Sequence, residues 1–214
     1  MEHISLIIIF WYGILHAFGP DHLTAIADFS IGKSKKKTLM ITTLFAVGHG
    51  LSLFIFAKVL ESINISDEIL AYGDIISALV ILSIGVYLLF MVLNNKIHLN
   101  RHIHDNKEHV HIYFGDEHSH KTKTDTASAF TIGTLMGIGG VRGMLVTLGL
   151  VEGAAVDSTM VLAFAGGVML IFVGFGLCIL YINKNLLNSK TNIRRAFSIA
   201  GIVSVIVGSN MLLA

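Results

Sequence analysis

The residues of this chain best suited to chemistry are histidine and aspartate set inside apolar sequence. The segment His16-Ala17-Phe18-Gly19-Pro20-Asp21-His22 interrupts one apolar run, and a second run carries Gly48-His49-Gly50. An aspartate at the centre of a bilayer costs about 2.5–3.5 kcal/mol on insertion scales, so intramembrane ionisable residues are functional-site candidates and need partners. Neutral imidazole nitrogen and carboxylate oxygen together suit Ni²⁺, Co²⁺ or Zn²⁺. A thiolate site for Cu(I) is disfavoured, because the one cysteine, Cys178, is remote in sequence and makes no intrachain disulfide. The competing reading is a set of hydrogen-bonded polar residues that hold helices together. A lone histidine would favour that reading; three histidines and an aspartate beside a Gly-Pro step favour a metal-ligand set of His16, Asp21, His22 and His49.

Spacing tests the idea. On a straight helix, six steps of about 100° put His16 and His22 roughly 120° apart, off a common face. Pro20 changes this, because it offers no N–H to the carbonyl of His16 and its ring clashes with that carbonyl. Gly19 removes the Cβ restriction on an unwound turn. A break here brings His16, Asp21 and His22 together and exposes a backbone carbonyl as a further ligand. Asp21 then opens a second half-helix, whose dipole favours its charge and disfavours a bound cation.

Seven of the eleven histidines lie between His98 and His120: His98, His102, His104, His109, His111, His118 and His120, with acidic residues interleaved. Imidazoles at such short spacing chelate borderline metals, and the tract reads as a metal buffer, sensor or delivery arm. Its polar composition predicts a segment largely disordered without metal. At the N-terminus, Met1-Glu2-His3 would let a free amine, two amides and an imidazole wrap Ni²⁺ or Cu²⁺ in a square plane, as an extracytoplasmic capture site, although a chance histidine is the simpler account. Arg142 stands in an apolar run and requires a carboxylate, with Asp21 or Asp74 as partner. A structural ion pair is the first expectation, and a gating pair broken by metal the second.

The elements that must position these groups are membrane helices. Over 214 residues, mean hydropathy is +0.75 and only 14% of residues are charged, against about 25% for a soluble domain. A net charge of +1 leaves no overall basic surface for nucleic acid. Spanning a hydrocarbon core takes roughly 20 apolar residues, and six segments qualify: 5–30, 38–60, 68–93, 126–151, 157–182 and 194–213. Backbone groups in lipid must bond internally, which makes the spans helices. The first lacks a basic leader and a small-residue cleavage site, and reads as a retained helix. The fold class is therefore all-α, a polytopic bundle of six transmembrane helices. Lysine and arginine collect after the first, third and fifth spans and are missing from 1–4, 61–67 and 152–156. The positive-inside rule then puts the basic loops in the cytoplasm and both termini outside.

Three spans, a loop and three spans give halves of opposite orientation: residues 1–93 with the metal motif, a cytoplasmic loop 94–125, and residues 126–214. That is the arithmetic of a 3+3 inverted repeat, whose substrate sites sit at mid-membrane on broken helices. The weak points correspond, Gly19-Pro20 in one half and Gly137-Ile138-Gly139-Gly140 in the other, although glycines at this spacing also serve close helix packing.

His-x-x-x-x-Asp-His in one membrane helix, followed by Gly-His-Gly in the next, resembles the nickel/cobalt transporter superfamily, which holds high-affinity nickel/cobalt permeases and a nickel/cobalt efflux family. The likeness covers residues 13–53 in detail and the remainder by topology. It implies that His16, Asp21, His22 and His49 select the metal, that Ni²⁺ or Co²⁺ is the transported ligand with no organic cofactor, and that the chain is an integral protein of a prokaryotic cytoplasmic membrane. Importers of the family usually have eight helices, and their later acidic motifs are not found here; six helices with a histidine-rich loop look more like the efflux branch. Partners are then the bilayer and the divalent ion, with self-association into a homo-oligomer left open. A non-enzymatic secondary transporter is the main expectation, and with no Gly-rich phosphate cradle in the sequence any energy coupling is by gradient or by a partner subunit. Two alternatives stand beside it. One is a membrane acyltransferase using the spacing of His16 and Asp21, with the aspartate orienting a general base. The other is a metal sensor without flux.

Overall fold

In the computed structural model, which describes residues 2–62, 67–104, 107–114, 122–152, 157–187 and 189–213, seven helices and a hairpin follow in order. Helices α1 (Glu2–Ala17), α2 (Pro20–Ser30), α3 (Lys35–Ser62) and α4 (Asp67–Leu93) precede strands β1 (Ile97–His104) and β2 (Lys107–Phe114). Helices α5 (Thr122–Glu152), α6 (Ser158–Asn185) and α7 (Lys190–Leu213) complete the chain. The fold is a helical membrane bundle. Stretches of α3, α4, α5, α6 and α7 are each long and apolar enough to cross a membrane, and α1 with α2 passes the same test as a pair bent by 60°. Large apolar side chains such as Trp11, Leu15, Phe90, Leu177 and Ile206 point outward, a surface suited to lipid rather than water.

The bend falls at Gly19-Pro20. Gly19 has ψ 128°, the extended backbone that a following proline imposes, and Pro20 begins α2 where a missing N–H costs nothing. The expected free carbonyl is not released, however: His16 O accepts the N–H of Gly19 at 2.9 Å. After α2 the chain reverses through Gly32, at φ 75°, a conformation glycine adopts without strain. Asn183 of α6 fastens that turn. Its Oδ1 accepts Gly32 N–H (2.8 Å), and its Nδ2 donates to the carbonyls of Ser30 (2.8 Å) and Lys33 (3.2 Å).

Two sequence expectations are corrected. The second half carries no counterpart of the break, since α5 runs unbroken through Gly137, Gly139 and Gly140. Its glycines serve contact instead. A Cβ at Gly137 would stand 2.6 Å from the carbonyl oxygen of His49, so α3 and α5 touch backbone to backbone. The histidine-rich loop is likewise not structureless: β1 and β2 pair antiparallel from Ile97↔Phe114 to His104↔Lys107, adding a two-stranded sheet to an otherwise helical chain. Cross-strand pairing satisfies backbone groups that the composition alone would have left to water.

Helix partnerships exchange between the halves. α3 packs on α5 and α1 packs on α6, while α4 pairs with α7 and α3 with α6. Apolar packing around Phe45, Phe164, Phe172 and Met136 joins α1, α2, α3, α5 and α6, and a second cluster around Leu88, Met91 and Phe197 joins α4, α7 and Ile97 of β1.

Candidate metal centre

The bend delivers what a straight helix would not. His16, on the last turn of α1, and His22, on the first turn of α2, stand with their Nε2 atoms 3.2 Å apart. His49 from α3 completes the group, and one ring nitrogen from each of the three lies within 4.8 Å of the others. Metal–imidazole bonds of about 2.0–2.1 Å put neighbouring ligand nitrogens about 3.0–3.4 Å apart. The His16–His22 pair already meets that spacing, and His49 needs a shift of about an ångström.

Both nitrogens of His49 are buried without a hydrogen-bond partner in a side chain that is 0% exposed. An unpaired buried polar group costs about 1–3 kcal/mol, and buried groups are almost always paired. A cation accepting lone pairs from the cluster removes that cost. The missing side chain of Gly140 keeps room beside two of the rings: a Cβ there would sit 3.0 Å from His16 Nε2 and 3.3 Å from His49 Nε2.

Asp21 takes a different position from the one expected. Its Oδ2 lies 3.1 Å from His22 Nδ1, the nitrogen on the other side of the ring from the cluster. It supplies negative charge beside that ring, the place carboxylates take behind metal-bound histidines. It stands in the first turn of α2, where the dipole favours it.

One side of the cluster is dry. Phe172 packs against His22 and His49 with ring centroids 5.5 and 5.4 Å away, Phe164 lies 5.3 Å from His16, and Phe45 stacks near His49 at 6.3 Å. The other side opens into a cavity of about 490 Å³ lined by His16, Asp21, His22, Asp74, Ser77 and Arg142, among others. In that cavity Arg142 pairs with Asp74 at 3.5 Å, both half-exposed. Of the two carboxylates expected for Arg142, Asp74 is the partner and Asp21 stays with His22.

Of the remaining sequence candidates, His98, His102, His104, His109 and His111 fall within the hairpin. The register pairs His102 with His109, His98 with Tyr113 and Asn100 with His111. The side chains of these five histidines lie outside the described residues. Met1, His118 and His120 lie outside the described residues, as do the side chains of Glu2 and His3. Sequence reading missed Asp28 and Ser204, which meet at 2.6 Å between α2 and α7. Asp28 sits in the same apolar run as Asp21, so the intramembrane-charge argument would have found it.

The fold and the cluster together define a membrane helical bundle with a cluster of three imidazoles, two of which line a cavity. No family model, curated protein or solved structure matches the chain.

Proposed function

We propose that this chain is a secondary transporter for a divalent transition metal ion, Ni²⁺ or Co²⁺, of the nickel/cobalt transporter type. One observation carries the reading: three imidazoles converge inside a helical bundle, His16 and His22 lining a cavity and His49 buried beside them with both its nitrogens unpartnered. Neutral nitrogen donors select borderline ions over Mg²⁺ and Ca²⁺, which take oxygen ligands. In this reading six spans cross a prokaryotic cytoplasmic membrane, α1 and α2 forming one broken span, with both termini outside. The exchange of helix partners between halves supports an inverted repeat.

The ion sheds water in the cavity, exchanges it for His16, His22 and His49, and is balanced by the charge of Asp21. The aromatic wall of Phe45, Phe164 and Phe172 closes the opposite path. Alternating access would open that wall while the cavity side shuts around Arg142 and Asp74.

Efflux is the second reading for direction, favoured by the hairpin. Five histidines carried on one cytoplasmic hairpin would collect the ion before transport. The acyltransferase reading has less support, because the ion-pair contact of Asp21 is with His22.

Radioactive Ni²⁺ and Co²⁺ flux in proteoliposomes of known orientation tests the proposal. Flux that vanishes in His16→Ala and His49→Ala supports it. Wild-type vesicles no leakier to either ion than empty ones end it.

A further inference from the structure

The metal site accounts for Asp21 but leaves a second intramembrane acid, Asp28, without a role. Asp28 is 93% buried, being 7% exposed, and its Oδ1 has no hydrogen-bond partner. Its Oδ2 lies 2.6 Å from Ser204 Oγ, and the same Ser204 Oγ lies 2.9 Å from the carbonyl oxygen of Ala200. A hydroxyl has one proton to give, and a carbonyl oxygen has none. If Ser204 donates to Ala200, the usual bond of a helical serine to the preceding turn, then the proton in the short contact belongs to Asp28. The carboxylic acid donates from Oδ2 to Ser204 Oγ, and every close contact is satisfied. An ionised Asp28 would instead leave two acceptors competing for one hydrogen.

The surroundings agree. Asp28 opens on a groove of about 420 Å³ between α2, α6 and α7, lined by Leu23, Thr24, Phe175, Ile199 and Val203 and by no second titratable side chain among the described residues. On the other helices packed against α2, His49, Asp74 and Arg142 belong to the metal site. Lys184 of α6, and Arg194 and Arg195 of α7, line separate grooves. The described contact of the Asp28 carboxyl is the Ser204 hydroxyl rather than a cation, a costly setting for a carboxylate in a membrane interior.

We propose that Asp28 is the proton-carrying site of this transporter and releases its proton when the metal site fills. The inference rests on the transport reading above. Asp28 and His22 share α2 and are six residues apart, roughly 9 Å along the axis at about 1.5 Å per residue. Two positive charges arriving at His22 favour ionisation of a carboxyl at that distance in a low-dielectric interior. The O–H bond of Asp28 breaks, the proton passes to water at the Lys33 end of α2, and Ser204 turns its hydroxyl from Ala200 to the new carboxylate. One positive charge leaves as two arrive. Reprotonation favours metal release by the same linkage.

Infrared difference spectra of the full-length protein, Ni²⁺-loaded minus metal-free, test this beside paired Ni²⁺ and proton flux in proteoliposomes. The wild type is expected to lose a protonated-carboxyl C=O band on loading and to move protons against Ni²⁺. Asp28→Asn, which keeps the shape and the contact with Ser204, is expected to lack the band, to bind Ni²⁺ within about threefold of wild type, and to carry Ni²⁺ downhill without proton movement. Ser204→Ala provides a second variant, expected to keep the band but shift its frequency. A band unchanged in Asp28→Asn, or proton movement retained in it, overturns the proposal. If wild-type protein binds no Ni²⁺, the transport reading fails by itself. The metal-free spectrum then still decides whether Asp28 is an acid: a band lost in Asp28→Asn supports that assignment, and no such band refutes it.

Discussion

Gly140 offers the sharpest test of where the ion sits, because one methyl group there addresses two ligands at once. The Cβ of Gly140→Ala would stand 3.0 Å from His16 Nε2, about 0.4 Å short of the 3.4 Å at which ordinary contact begins, and 3.3 Å from His49 Nε2. Metal–ligand distances tolerate only about 0.2 Å. Both imidazoles must therefore retreat from the point where their lone pairs meet. Disturbing the orientation of metal-bound histidines typically costs ten- to hundredfold in affinity, about 1.4–2.8 kcal/mol. Helix stability moves the other way, since alanine is better than glycine in a helix interior by up to about 1 kcal/mol. Gly140→Ala should thus fold at least as well as wild type while its Ni²⁺ Kd, measured by titration calorimetry, rises ten- to hundredfold. The neighbouring Gly143→Ala is the matched control. Its Cβ would lie 3.6 Å from His16 Nδ1, an ordinary contact on the far side of the ring, and Kd should change less than threefold. Wild-type affinity in Gly140→Ala, or equal losses in the two variants, would refute convergence beside Gly140.

Three other outcomes follow from the same geometry. His49→Phe should raise the thermal midpoint of the metal-free protein by a few degrees, because it removes two unpartnered nitrogens worth about 1–3 kcal/mol each, and should abolish Ni²⁺ binding; a fall in stability with binding retained would contradict the unpaired-ligand reading. Arg142→Gln removes the one cationic side chain lining the metal cavity among the described residues. It should leave protein level unchanged and lower the KM for Ni²⁺ severalfold in low-salt flux assays; identical KM at all ionic strengths would assign the Arg142–Asp74 pair a structural role only. Replacing His98, His102, His104, His109 and His111 together by Gln should reduce the number of Ni²⁺ bound per chain, read by equilibrium dialysis, without changing flux at saturating Ni²⁺. Lost flux at saturation would place the hairpin in the transport path.

The helical architecture was legible because lipid leaves the backbone few choices. An apolar run of 20 residues or more is a helix whatever its propensities, so the segments around α3, α4, α6 and α7 could be read within a few residues. Proline made the bend legible too. It removes a donor and fixes its own φ, a local rule that tertiary packing did not override at Pro20. The glycines of α5 were ambiguous for the opposite reason. Glycine permits a break and equally permits contact, and only the partner decides. Opposite Gly137 and Gly140 stand the backbone and imidazole of His49, so the helix stays whole and the missing Cβ atoms are used as space. The hairpin escaped notice because its pattern alternates histidine with apolar residues, which composition alone scores as a polar, disordered tract. The period of two was present in His98, His102 and His104 against Ile97, Leu99 and Ile103.

The two acids of the first span separate the legible from the illegible most clearly. Asp21 advertised itself by sitting beside Pro20 and His22, and the structure gives it the supporting position behind an imidazole rather than a place among the converging nitrogens. Asp28 carried no motif, and its meaning depends on Ser204, 176 residues away in sequence. No local rule could have joined them. Yet both acids ride on α2, an eleven-residue half-helix set free from α1 by the 60° bend and pinned at its far end by Asn183. A continuous first span would hold His22 and Asp28 in fixed relation to α1 and His16. A severed half-helix can tilt as a unit, so that any movement which tightens His22 onto an ion also shifts Asp28 against Ser204. The proline that brings the imidazoles together is therefore the same device that would let the acid seven residues beyond Asp21 report on an ion bound there.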